Sequence, residues 1–288
     1  MSLTDEIAVG SVVALWRYPV KSMMGEELNA ADITPRGLLG DRAYALIDAS
    51  NGKVASAKHP RKWAGLFDCR AAFVEPPRGG EQPPPVRITL ADGMLISSEQ
   101  GDLDQVISRV LGREVTLETA ERGQREVVET TVPNPWRPSL EEYWPDIEGL
   151  AHREAVTDEA MPEATFFDLA SVHLLTTATV DRLRALYPRG RFEVRRFRPN
   201  VVVAPTTGQD GFVENTWVGR TLALGDQVRL NVTGPCPRCV MTTLPQGDLP
   251  KDPGILRTAA KHNGVNVGVY AEVAQGGTIR RGDPVRVE

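Results

Sequence analysis

The sequence predicts an α+β, mainly β fold of barrel or sandwich type. Three observations carry that expectation: short runs rich in β-branched and aromatic residues recur along the chain, turn signals separate them, and helical periodicity is confined to a few short stretches. Many turns and few helices argue for closed or stacked antiparallel sheets over a parallel one.

In the first part, SVVALWRYPV (11 to 20), RAYALID (42 to 48) and KVASA (53 to 57) read as strands. RGLLGD and DASNG separate them, with Asn51-Gly52 as a hairpin turn in which glycine accepts positive φ. LFDCRAAFV (66 to 74) and VRITL (86 to 90) continue the pattern around EPPRGGEQPPP, a surface loop whose prolines cannot donate to a ladder. Between residues 102 and 112 the period changes. Leu103, Val106, Ile107, Val110 and Leu111 fall on one helical stripe, with Asp102 placed to cap its start and Gly112 to end it. EVTLE (114 to 118) returns to strand.

Residues 119 to 165 are polar, acidic and poorly periodic, and they include NPWRPSLEEYWPD. This stretch reads as a connecting or active-site loop region that divides the chain into 1–118, 119–165 and 166–288. Beyond it, VHLLT leads into a helix over TTATVDRLRAL, with Thr176 or Thr177 as cap. RPNVVVAP, TLALGDQVRLNVTG, VNVGVYAEVA and RRGDPVRVE read as strands, and DPGILRTAAKHNG as a short helix ending at Gly264.

The 288 residues suffice for one large domain or two medium ones, and 41% apolar with 25% charged residues excludes a disordered or membrane chain. A net charge of −5 argues against a general nucleic-acid binder. MSLTDEIAVGS has no basic segment followed by an apolar run, so a cytoplasmic protein with reduced thiols and no membrane association is expected.

Chemistry concentrates at GPCPRCVMTT, where Cys236 and Cys239 stand at C-x-x-C spacing. A structural zinc site needs a second pair, and Cys69, His59, His152, His173 and His262 do not form one. A thioredoxin-like dithiol opens a helix, whereas this motif lies between strand-like segments. A turn with no chemistry and a single metal-ligating thiolate both stay open. In VRRFRPN a strand would place Arg196, Arg198 and Asn200 on one face and Arg195 and Phe197 on the other. Two guanidiniums and an amide make an anion surface or a solvated edge. Lys21 and Ser22 before Gly25, and Arg42 beside Asp41, can serve a phosphate or merely a turn and a salt bridge.

YPVKS (18 to 22), GLLGDRAYALID (37 to 48), FRPN (197 to 200), PCPRCVMTT (235 to 243) and GVYAEVAQGGTIRRGDPV (268 to 285) occur together in one order. In that order they resemble the MOSC-domain proteins, which place an N-terminal β-barrel domain before the MOSC β-barrel domain. The group includes the mitochondrial amidoxime-reducing component and its bacterial relatives. The resemblance implies a MOSC N-terminal β-barrel-like domain at 1–118, a MOSC domain with a few short helices at 166–288, and molybdenum cofactor, a pterin dithiolene carrying a phosphate. It assigns Cys239 as the metal ligand and catalytic residue. It assigns Lys21, Ser22, Arg42, Thr176, Thr179, Arg198, Asn200 and Arg238 to the cofactor's phosphate and pterin. It implies reduction of a small-molecule substrate, an amidoxime, hydroxamate or hydroxylamine, by oxygen-atom transfer. A separate electron-donor protein is also implied, because a fused [2Fe–2S] domain needs four cysteine ligands and this chain has one cysteine outside the pair. Cys236 receives no role and Cys69 reads as core; Asp168 and His173 are candidates for proton transfer. Two departures mark the chain. ASAKHP puts Lys58 where better-known relatives have an arginine-containing segment, and LPQGDLPKDPGIL replaces their aspartate-proline turn after the cysteines. The second reading is a cofactor or sulfur carrier in which Cys239 holds a persulfide.

Overall fold

The computed structural model describes residues 7–120, 138–162 and 165–288. Its centre is a closed barrel of seven strands. Going round, Val201–Pro205 lies beside Val172–Thr176, then Asn266–Gln275, Val228–Pro237, Thr221–Leu224, Pro284–Val287 and Ile7–Arg17, which pairs back to Val201–Pro205. The Val172–Thr176 and Val201–Pro205 pair is parallel and the other pairs are antiparallel. Val12, Leu174, Val203, Leu222, Leu230 and Val269 belong to the core that fills it.

Ile7–Arg17 closes the barrel by changing which residues face inward. Val9, Val12 and Leu15 are buried, a spacing of three that strict alternation cannot give. Register slips between Ala8 and Gly10 on one neighbour and between Val12 and Ala14 on the other supply the extra residues. At Gly10 a Cβ would stand 2.3 Å from the Ala204 carbonyl oxygen, so only glycine fits that approach.

A second core gathers Val20, Met23, Leu46, Trp63, Ile88 and Ile107. Its frame is the pair Tyr44–Asp48 with Val115–Thr119, the sheet of Arg70–Phe73, Val86–Thr89 and Leu95–Ser97, and the helix Leu103–Leu111. Helices Thr177–Leu186 and Gly254–Asn263 pack outside the barrel through Val180, Leu183, Ile255 and Ala259. No helix of the described residues is long and apolar enough to cross a membrane.

Several local expectations are corrected. VRRFRPN is not a strand: Val194–Phe197 is a helical turn and Arg198 has φ 53°. Side chains there rotate by a helical step, so Arg196 leaves the face expected to hold Arg198 and Asn200. It donates to the carbonyls of Arg191, Thr242, Leu244 and Pro250. Among the described residues the run at 53 to 57 pairs only at Val54, which bridges Ile47 and Leu140. Residues 66 to 69 open as a 3-10 turn, Ala64–Asp68, so Cys69 is buried at its end instead of mid-strand. Asp102 occupies the cap position without a side-chain cap bond, whereas Thr176 accepts from the Thr179 amide at 3.1 Å. Inside the stretch read as aperiodic, Ser139–Trp144 and Ala155–Ala160 form an antiparallel pair. Residues 121–137 of that stretch, including Trp136, lie outside the described residues.

Candidate active site

Where the chain leaves Ile7–Arg17, the backbone is held in a conformation that side chains resist. Among the described residues five non-glycine residues have positive φ, and three are Ser22 (63°), Arg42 (49°) and Arg198 (53°). A fourth, Val265 (69°), lines the same cleft as Arg42 and Arg198. Such residues cost on the order of 1–3 kcal/mol each and persist only where surrounding contacts determine them. Those contacts are present. Asp41, 5% exposed, accepts from the Tyr18 amide at 2.7 Å and the Asn200 amide side chain at 2.9 Å, and pairs with Arg42. The Arg42 amide donates to the Tyr18 carbonyl at 2.8 Å, and Arg198 Nη1 to the Met23 carbonyl at 2.6 Å. Both guanidiniums lie over the Tyr18 ring, Arg42 at 4.6 Å and Arg198 at 4.1 Å from its centroid.

The cleft measures about 320 Å³. Arg42, Arg198, Asn200, Arg238 and Cys239 all line it, with Lys58, Glu142, Asp168, His173 and Tyr270. Cys239 follows the end of Val228–Pro237 and precedes a 3-10 turn, Val240–Thr243, while the Arg238 amide is tied to the Val265 carbonyl at 2.9 Å. Arg238 donates to Cys236 Sγ at 2.6 Å and to the Phe197 carbonyl at 2.8 Å, and its buried Nε has no hydrogen-bond partner among the described residues. The two cysteines are thus unlike. Cys236 is sealed under Arg238, whereas Cys239 is partly exposed and faces the cleft.

Lys21 Nζ meets Asp168 Oδ1 at 2.7 Å, and Lys58 Nζ meets Glu142 Oε2 at 2.8 Å and Asp168 Oδ1 at 3.7 Å. Burial alone would raise Asp168, but Lys21 and Lys58 outweigh it and hold the carboxyl well below the usual range. Burial lowers Arg198 to about 10, with Arg42 adding to the effect. Burial and then Arg238 draw His173 down to about 3, so its ring is neutral and Nε2 donates to the Val267 carbonyl at 3.0 Å. Burial pushes the Cys239 thiol up to about 11, Glu142 adding and Lys58 and Arg238 opposing. Three guanidiniums around one soft ligand suit an anionic ligand that also carries a thiophilic metal. Among the described residues no three His, Cys, Asp or Glu side chains are grouped to hold a metal ion.

Four of the nine residues expected to touch a cofactor do not line the cleft. Lys21, 6% exposed, is engaged by Asp168 and the Phe166 carbonyl. The buried Ser22 hydroxyl accepts from the Ala57 amide. Thr176 and Thr179 both donate to the buried carboxylate of Glu214, at 2.5 and 2.7 Å. Asn200 does line the cleft, but its side chain bridges Asp41, the Trp16 carbonyl and the His173 amide. The sequence reading singles out none of Glu142, Trp144 and Tyr270, which also line the cleft. The alternating half-exposed SLEEYW run was the available signal for Glu142 and Trp144.

Two family models match the chain: MOSC domain over residues 162–286 and MOSC N-terminal beta barrel domain over residues 9–64. Mitochondrial amidoxime reducing component 2 of Homo sapiens is 24% identical over 299 residues, spanning 96% of this chain and 83% of that protein. The Bos taurus protein of the same name is 25% identical over 300 residues with the same coverage. Human mitochondrial amidoxime-reducing component 1 is 24% identical over 297 residues, spanning 96% and 82%. Among solved structures, the YUAD protein from Bacillus subtilis superposes with a TM-score of 0.46 at 11% identity, over 97% of this chain and 95% of that one.

Proposed function

We infer that this chain, a MOSC-domain protein with a MOSC N-terminal β-barrel domain, is a molybdenum-cofactor-dependent oxidoreductase acting on N-hydroxylated compounds. One observation carries the reading: the partly exposed Cys239 thiol and the guanidiniums of Arg42, Arg198 and Arg238 line a single cleft, with a buried Arg238 Nε that has no partner among the described residues. Relatives named as amidoxime-reducing components support the reaction type.

Molybdenum cofactor, when bound, supplies two-electron reduction with oxygen-atom transfer. Cys239 would ligate the metal as thiolate, and Arg42, Arg198 and Arg238 would hold the phosphate and pterin. Lys21 supports that surface from behind by fixing Asp168, which in turn stands beside Lys58. Asn200 locks the Tyr18 turn to the barrel, so the guanidiniums stay aimed at the cleft. Trp144, Leu150, Phe167 and Leu169 form its apolar wall, where a substrate body displaces water. Electrons come from a separate donor protein.

Turnover of benzamidoxime by the cofactor-loaded protein tests this reading. A chemical reductant should sustain reduction, NADH alone should not, and Cys239→Ala should lose more than about 100-fold, the upper end for disturbing even an outer partner of a metal ligand. No reduction by loaded wild-type protein, or full activity in Cys239→Ala, would remove it.

A further inference from the structure

Glu142 has no task in the reading above, although it stands inside the cleft. It lies on Ser139–Trp144 and is 4% exposed. Its Oε2 accepts from Lys58 Nζ at 2.8 Å, and among the described residues its Oε1 accepts no hydrogen bond. Glu142 lines the cleft, so a ligand that brings a donor can pair with that oxygen there. Asp168 differs. Its side chain is 34% exposed and takes both lysines on Oδ1. The cleft's cationic groups, Arg42, Lys58, Arg198 and Arg238, can only donate. Glu142 is therefore the buried anionic acceptor in a cleft dominated by donors.

Beside it the wall is apolar and braced. Trp144 donates to Thr157 Oγ1 at 2.8 Å and meets the His152 ring edge-on at 5.4 Å, while Leu169 is 67% exposed at the cleft. A ligand with an aryl or alkyl body against that wall brings the atoms next to its N–O group towards Glu142. N-hydroxylated compounds differ at that place. An N-hydroxyamidine carries an amino group on the carbon beside the N–O nitrogen, whereas a hydroxamic acid carries a carbonyl oxygen there. The first donates to a carboxylate and the second sets lone pair against lone pair.

We propose that Glu142 is a specificity-determining residue of this cleft, whose free oxygen accepts from the amino group of an N-hydroxyamidine and disfavours the corresponding hydroxamic acid. This rests on the cleft being the substrate site of a reductase. Benzamidoxime and benzhydroxamic acid are such a pair, and with no reductant present neither turns over. Calorimetry on the oxidised, cofactor-loaded protein should find benzamidoxime bound at least about tenfold tighter, and Glu142→Gln should abolish that preference while molybdenum content and benzhydroxamic acid affinity hold. Equal affinities in wild type, or an undiminished preference in Glu142→Gln, overturn the proposal. Should the variant not fold, the wild-type comparison decides alone. Turnover separates the two readings: a binding preference for benzamidoxime with no reduction of either compound when reductant is added supports recognition by Glu142 and removes the reductase. Reduction of both without the preference removes the role of Glu142.

Discussion

His173 shows how a buried side chain ties the site to stability. Burial and the neighbouring Arg238 hold its imidazole at about 3, against an ordinary value of 6.5. The unfolded chain takes up the proton first as pH falls, so the stability tied to neutral His173 is complete above about pH 6.5 and is lost progressively towards pH 3. By pH 4 the loss should reach up to about 3 kcal/mol, read from urea midpoints, and His173→Gln should flatten that window. An unchanged pH profile in a folded variant would show that the acid sensitivity lies elsewhere. Alternation alone did not separate Arg198 from Arg196, and only the FRPN resemblance singled out Arg198. Arg198 follows a helical turn and has left-handed backbone, while Arg196, two residues earlier, satisfies four carbonyls. Alternation, the rule available to a sequence, has no purchase where the backbone is neither strand nor regular helix.

Strand crossings set what the elements tolerate. Gly268 sits in Asn266–Gln275 with φ 84°, and a Cβ there would lie 2.3 Å from His173 Nε2 and 2.4 Å from the Leu174 carbonyl oxygen. Gly268→Ala should therefore lower the unfolding free energy by about 3 kcal/mol or more, combining backbone strain with a clash against main chain. A urea midpoint within error of wild type would show that the pair of strands can separate locally. Elements with strong periodicity, such as Leu103–Leu111 and Thr177–Leu186, were legible from the chain alone because their buried stripes recur every three to four residues. Ser139–Trp144 was not. Its half-buried alternation is written in charged and aromatic residues, since one face meets the cleft and its ion pairs, so the hydrophobic signal is weak.

At the scale of the molecule, the cleft is built from residues far apart in sequence. Arg42 and Lys58 come from the first part, Glu142 from the middle, and Asp168, Arg198, Arg238 and Cys239 from the last. Ile7–Arg17 pins that first part to the barrel through pairings with Val201–Pro205 and Pro284–Val287. The sequence announced many short strands, and it marked Arg42, Arg198 and Cys239 through short motifs. It could not announce that the first strand closes a barrel formed otherwise by residues 172–287, because pairing over such separations leaves no local pattern. Nor could it show that Thr176 and Thr179 face Glu214, since a hydroxyl's partner is fixed only by the fold. A molybdenum cofactor held between Cys239 and the three guanidiniums is the centre of this reading. The molybdenum content of the purified protein, made with molybdate supplied and measured by mass spectrometry, tests it most directly. About one molybdenum per chain is expected, held through the single thiolate of Cys239. Protein that carries a persulfide on Cys239 and no molybdenum would contradict it.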